Sequence, residues 1–178
     1  MKNFNEFVRD QFVYGGKKYA LSQERESTDV LFERYGQNWL FGTMDKYCFR
    51  FRNLERERDL LKIACYAYIL WLKKGFHVDL KGLSTDALDT NVDMKAQNFD
   101  RFLIIVTDGG NNIQIRQVKI KYKLDQVSAM LKEWGKKKWS DITQEEIVLI
   151  YLLCYYVWRE KYENAEKHDT DTAESTKK

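Results

Sequence analysis

The sequence predicts an α+β fold, in which an antiparallel or mixed β-sheet packs against two long apolar helices at about 54–74 and 143–163. Each of these segments contains an apolar run whose length is typical of a core helix. The sheet is predicted by aromatic residues that alternate with other residues over 46–52 and by a nearly continuous apolar run over 101–107. The chain has 178 residues, of which 44% are apolar and 32% charged, and this composition is that of a globular protein.

The N-terminal segments are predicted to form a short helix, a hairpin and three strands. Apolar residues at helical spacing predict a helix from residue 4 to about Arg9. Gly15-Gly16 suits a tight turn with positive φ angles, and it predicts a hairpin that joins strands 11–14 and 17–21. The three further strands are expected at 30–35, 39–41 and 46–52.

The first long helix is predicted to be central. Asn53 is a suitable N-cap residue, and Gly75 is a suitable C-terminal stop. From Ile63 to Leu72 the helix is apolar on all sides, which a surface helix in water does not tolerate. A strand is expected next at 76–80.

The second half of the chain is predicted to contain a strand pair and two helices. The apolar run 101–107 and the segment 113–123 are expected to form adjacent strands, the second with a β-bulge near Arg116–Gln117. An amphipathic helix is expected at 124–134. Thr143, with Glu146 three residues later, predicts a capping box that opens the final helix. Residues 1–163 are therefore interpreted as one domain, and the polar residues 164–178 as a disordered tail.

Charge and cysteine content restrict the function classes. Lys and Arg number 30 against 27 Asp and Glu, and a net charge of +3 does not by itself indicate a nucleic-acid or membrane partner. The apolar runs are shorter than the roughly 18–20 residues that cross a bilayer, so no membrane partner is expected. The three cysteines lie in apolar surroundings, which predicts reduced thiols and a cytoplasmic location.

One candidate catalytic set consists of Asp100, Gln117 and Lys119, with Glu55 or Glu57 on the preceding helix. The order helix, strand, strand, strand, helix, together with an Asp and a Gln-x-Lys triplet on adjacent strands, resembles the core of the PD-(D/E)XK nucleases. This resemblance implies metal-dependent phosphodiester cleavage, with Mg²⁺ on the oxygen ligands and Lys119 near the attacking water. No other cofactor is expected.

A basic tract extends from Ile113 to Lys138. Its eight basic and two acidic residues give a net charge of +6, and two tryptophans bracket its lysine triplet. Lysines neutralise phosphates and aromatic rings stack on bases, so the tract is a candidate nucleic-acid surface; the alternative is a solvated face. The residues predicted to contact nucleic acid are Lys119, Lys121, Lys123, Lys136, Lys137, Lys138 and Trp139.

The final helix carries an unusual number of aromatic residues. A helix buries about half of its circumference against its own domain, and Tyr and Trp on the remaining face are typical of binding hot spots. The predicted partner-binding residues are Tyr151, Tyr155, Tyr156 and Trp158; the alternative is that they belong to the core. The leading hypothesis is a non-enzymatic intracellular binding protein, which uses this surface for a protein partner or for self-association. Nucleic-acid binding and nuclease activity are the alternatives.

Overall fold

The computed structural model describes residues 2–19, 27–76, 98–106 and 120–163, and every regular element in these ranges is helical. The predicted α+β fold is therefore wrong, since no strand occurs in the described ranges. The α-helices are α1 (Phe4–Tyr19), α2 (Ser27–Tyr35), α3 (Gln37–Leu54), α4 (Glu57–Lys73), α5 (98–106), α6 (Ile120–Trp134) and α7 (Gln144–Trp158). A 3₁₀ turn at Trp139–Asp141 precedes α7, and a π-helical turn at Arg159–Glu163 follows it.

Helices α4 and α7 form the centre of the structure and pack against each other. These are the two apolar helices that the sequence predicts, but their neighbours are helices rather than a sheet. Helix α1 covers α4, α3 packs between α4 and α6, α6 also packs against α7, and α2 packs against α3. Helix α7 buries residues on all sides because α4 and α6 pack against it and Phe4 of α1 contacts it. No helix in the described part of the chain has both the length and the hydropathy to span a membrane.

Each strand predicted within the described residues is helical. The predicted hairpin at 11–21 is wrong because α1 continues through Gly15-Gly16 to Tyr19. The strands predicted at 30–35, 39–41 and 46–52 lie in α2 and α3, and the one predicted at 101–107 begins in α5. The predicted strand 76–80 is described only at Phe76, which lies in a turn. The predicted strand 113–123 is described only from residue 120, where α6 begins. The remainder of both lies outside the described residues.

The ends of α4 and α7 test the predicted helix signals. Thr143 forms the predicted capping box: its side chain accepts a hydrogen bond from the backbone N–H of Glu146, whose carboxylate accepts one from the backbone N–H of Thr143. Gly75 follows α4 with a φ of 74°, as a C-terminal stop requires. Asn53 is not an N-cap, because it belongs to α3 and its side chain donates to the carbonyl of Phe49.

Candidate functional site

An aromatic groove lies where the N-terminal end of α1 meets the C-terminal end of α7. Its volume is about 440 Å³. Charged side chains beside these two helix ends, including Lys2 and Lys161, line the groove together with the aromatic rings. The aromatic residues that define the groove are Phe4, Phe7, Tyr155, Trp158 and Tyr162.

Phe4 holds the two helices together beneath the groove. Its ring lies 5.5 Å from that of Tyr151, 5.7 Å from that of Tyr155 and 5.5 Å from that of Trp158, measured between centroids. Phe7, one turn further along α1, lies 6.1 Å from Trp158. Phe4 and Trp158 are buried, whereas Phe7 and Tyr155 are half-buried. The groove therefore has a packed floor and partly accessible aromatic sides.

Three polar groups of the groove, on Trp158, Lys161 and Tyr162, already have partners. The indole N–H of Trp158 donates to the carboxylate of Glu57 at 2.6 Å, which fixes the plane of the ring. The hydroxyl of Tyr162 donates to the backbone carbonyl of Glu55 at 2.7 Å. Burial, with the nearby Glu57 and Glu55 carboxylates, raises the pKa of Tyr162. Lys161 pairs with the carboxylate of Glu55 at 2.6 Å. The rings of Trp158 and Tyr162 are thus held in place before any partner binds.

The predicted partner-binding residues of α7 divide into buried and half-buried residues. Tyr151 is 0% exposed and its hydroxyl donates to the side-chain oxygen of Asn5 at 2.9 Å, so it belongs to the core. Trp158 is 6% exposed and presents only an edge to the groove. Tyr155 lines the groove, whereas Tyr156 lies outside it, beneath the ammonium group of Lys123.

The sequence did not indicate that Phe4, Phe7 and Tyr162 join this surface. Phe4 and Phe7 are visible as the apolar face of a short helix, and Tyr162 follows the aromatic stretch of α7. Their proximity arises from the packing of α1 against α7, which joins residues about 150 positions apart, as the contact between Phe4 and Tyr155 shows. No local pattern contains that information.

Two of the predicted nucleic-acid residues that the structure describes, Lys123 and Lys137, are paired with carboxylates. Lys123 is only 1% exposed and pairs with Glu160. Lys137 lies 3.1 Å from Glu133 and 2.8 Å from Glu146, and hydrogen bonds to these two carboxylates raise the pKa of its ammonium group. Burial alone would raise the pKa of Glu146, but the hydrogen bonds from Lys137 and from the backbone of Thr143 outweigh it, and the pKa is lowered.

The other predicted nucleic-acid residues are more accessible than Lys123 or lie outside the described residues. Lys136 and Lys138 are exposed. Trp139 is half-buried, 5.5 Å from the ring of Phe32, and the Lys74 ammonium lies 5.1 Å from its ring centroid. Lys119 and the side chain of Lys121 lie outside the described residues.

The nuclease framework needs a strand directly after Asp100, and the described residues there form a helix. Asp100 lies in α5, where its exposed carboxylate pairs with Arg9, and the residues that follow it are helical. Gln117 and Lys119 lie outside the described residues, so the catalytic set remains a hypothesis from sequence. Of the two helix acids, Glu55 pairs with Lys161 and Glu57 accepts from Trp158. The described part of the chain contains no cluster of three or more ligating side chains suited to a metal ion.

The three cysteines, Cys48, Cys65 and Cys154, are buried and form no disulfide bond. Burial raises the pKa of the Cys48 thiol to about 12 and that of Cys154 well above its usual range. Because the thiolate is the nucleophilic form, Cys48 and Cys154 are core side chains rather than reactive thiols.

Comparisons of the chain with protein-family models, with curated proteins and with solved structures give no match.

Proposed function

We propose that the protein is a non-enzymatic binding protein, whose aromatic groove receives an aromatic or long aliphatic side chain of a protein partner. The observation that carries this proposal is the groove itself, in which side chains from the start of α1 and the end of α7 form a concave aromatic surface. The proposal narrows the aromatic surface expected from the sequence: Tyr155 and one edge of Trp158 belong to the binding site, and Tyr151 supports it from the core.

The size and composition of the groove suit an apolar anchor. A volume of about 440 Å³ lies within the range of about 300–1,000 Å³ that is typical of ligand pockets. Tyr and Trp are enriched among the residues that dominate binding energy at interfaces, and anchors that fill preformed pockets account for most of that energy. The contacts of Phe4 and the hydrogen bond from Trp158 to Glu57 hold the pocket open, so little ordering of the protein accompanies binding.

Charge pairing around the groove makes an electrostatic partner less suitable. Lys2 pairs with Asp10, and Lys161 pairs with Glu55. Their positive charges are therefore balanced locally, and binding should depend mainly on burial of the anchor. We expect a weak dependence on salt, in contrast to the steep slope that accompanies phosphate neutralisation in nucleic-acid complexes.

Peptides selected against the full chain from a random displayed library test this function. We expect the enriched peptides to share an aromatic or long aliphatic anchor. Tyr155→Ala should weaken their binding at least tenfold, because truncation removes one side of the groove. Tyr35→Ala is the control: this exposed tyrosine of α2 lies outside the groove, so the variant's peptide affinity should stay within about twofold of wild type.

Three results would contradict the proposal: selection without a shared anchor, equal effects of the two tyrosine substitutions, or peptide binding that falls steeply with salt. Light scattering on the same samples tests self-association. A dimer that Tyr155→Ala dissociates and Tyr35→Ala leaves intact would show that the groove binds a second copy of the chain rather than a foreign protein.

A further inference from the structure

A second concave site lies on another part of the structure, between α1, α2, α3 and α4. Its volume is about 170 Å³, and its lining is mainly apolar. None of the residues that define the aromatic groove contributes to it. We call it the Lys62 cavity, and the residues used below are Gly15, Trp39, Tyr47, Lys62 and Tyr66.

One end of the Lys62 cavity is a pair of hydrogen-bond donors. The ammonium group of Lys62 donates to the hydroxyl oxygen of Tyr47 at 3.1 Å. The hydroxyl proton of Tyr47 and the other ammonium protons of Lys62 remain available to an acceptor beside them. A carboxylate accepts from two such donors at once, and hydrogen bonds from an ammonium group to a carboxylate are among the stronger ones.

Positive charge collects around Tyr47. The ammonium groups of Lys46 and Lys62 each lie 4.7 Å from the centroid of its ring, and the Arg50 guanidinium lies 5.7 Å from it. Arg50 pairs with Asp59 at 3.4 Å, but within the described ranges neither lysine has an ion pair with a carboxylate. Of these three cations only Lys62 lines the cavity, but together they give the surroundings of Tyr47 an excess of positive charge, which favours an anion beside its hydroxyl.

The walls of the cavity are suited to a flat ring. Tyr47 and Tyr66 are stacked at 6.0 Å between centroids, with 21° between their planes, and Trp39 meets Tyr66 edge-on at 6.1 Å. Aromatic pairs of this kind also accept a further ring in stacked or edge-on geometry. A volume of about 170 Å³ is close to that of the engineered cavity of about 150 Å³ that binds benzene, so a single six-membered ring fits.

We propose that the Lys62 cavity binds a monocyclic aromatic carboxylate. The ring lies among Trp39, Tyr47 and Tyr66, and the carboxylate accepts hydrogen bonds from Lys62 and from the hydroxyl of Tyr47. The site is separate from the aromatic groove and does not depend on the function proposed for it.

Titration of the full chain with benzoate, benzyl alcohol and acetate, followed by calorimetry and saturation-transfer NMR, tests the assignment. Benzoate should bind more tightly than benzyl alcohol, which lacks the anion, and than acetate, which lacks the ring. Lys62→Met should lower the affinity for benzoate at least tenfold. It should leave the affinity for benzyl alcohol within about threefold of wild type. Lys132→Met, at an exposed lysine of α6 that does not line the cavity, should leave all three affinities unchanged.

A second variant fills the cavity instead of removing its charge. Gly15 lies on the cavity wall within α1, and a Cβ atom added there meets no heavy atom within 4 Å. Because leucine favours a helix more than glycine does, Gly15→Leu should keep the fold, which a thermal melt verifies. It should abolish binding of both benzoate and benzyl alcohol. The assignment is overturned if Lys62→Met binds benzoate like wild type, if acetate binds as tightly as benzoate, or if Gly15→Leu leaves benzoate binding intact.

Discussion

Lys123 shows how a single residue depends on its tertiary surroundings. Its side chain is almost completely buried, its ammonium group pairs with the carboxylate of Glu160, and it lies 5.4 Å from the ring centroid of Tyr156. In the sequence it is one lysine of a basic tract, which predicts exposure. The carboxylate that balances the charge of this buried ammonium group, that of Glu160, is 37 positions further along the chain. Composition alone could therefore not identify the pair.

The ion pair between Lys123 and Glu160 predicts that replacing one partner destabilises the protein more than replacing the other. Glu160→Ala leaves a buried ammonium group without its counter-charge and should lower the free energy of unfolding by about 1–3 kcal/mol. Lys123→Met replaces the stem and charge by an apolar side chain of similar length, and it should change the free energy by less than about 1 kcal/mol. Urea unfolding of the purified variants measures both.

An exposed ion pair on the same helix provides the control for this comparison. Asp125 lies 3.4 Å from Arg52, and both side chains are largely in solvent. Asp125→Ala should therefore cost at most about 1 kcal/mol. Equal costs for Glu160→Ala and Lys123→Met would contradict the inferred asymmetry of the buried pair.

At the scale of the element, α3 explains why sequence reasoning produced strands. Over residues 46–52, aromatic residues at 47, 49 and 51 alternate with other residues, which is the pattern of a strand. The helix buries Tyr47 and Phe51 but leaves Phe49 66% exposed. The spacing of three and four residues becomes visible only over the whole segment, where the buried residues are Leu40, Phe41, Met44, Tyr47, Cys48 and Phe51.

Helix α5 was mispredicted for a related reason. A short, nearly continuous apolar run is compatible with either a buried strand or a helix, and its β-branched residues favour a strand. The helix buries Phe99, Phe102 and Val106, while Ile104 is 62% exposed. The capping box at Thr143 was predicted correctly because its two partners are three residues apart and need no tertiary information.

Gly36 and Gly42 differ in whether the backbone requires a glycine: Gly36 precedes α3, whereas Gly42 lies inside it. Gly36 precedes the helix with φ 65° and ψ −160°, a conformation that is essentially restricted to glycine. Gly42 lies inside the helix, and a Cβ atom added there meets nothing within 4 Å. Gly36→Ala should therefore lower the free energy of unfolding by about 1–3 kcal/mol. Gly42→Ala should raise it by about 0.5–1 kcal/mol.

Thermal unfolding followed by circular dichroism distinguishes the two glycine substitutions. The melting temperature should fall for Gly36→Ala and rise for Gly42→Ala. If both substitutions lowered it, the segment 37–54 would not be the continuous helix described here, since alanine stabilises an exposed helical position that glycine occupies.

For the whole molecule, the sequence correctly predicted two apolar helices but not what covers them. A helix that is apolar on all sides must be buried, whether its neighbours form a sheet or a bundle, and the pattern does not distinguish the two. The candidate sites could not be predicted for the same reason, because they depend on how the helices are arranged. The aromatic groove needs α1 beside α7, and the Lys62 cavity needs four helices in one arrangement.

The central position of α7 predicts that the chain cannot fold without it. The helix buries nine of its side chains, and its removal would expose the faces of α4 and α6 that pack against it. Truncation of even a few large core side chains, at about 2–5 kcal/mol each, equals the total stability of about 5–15 kcal/mol of a typical domain. A chain that ends at Ser140 should therefore be insoluble or lack a cooperative transition. A chain that ends at Glu163 keeps every described element and should melt close to the full-length protein. Circular dichroism and light scattering on the two truncations decide the matter: a soluble, monomeric and cooperatively unfolding chain without α7 would show that the core lies elsewhere.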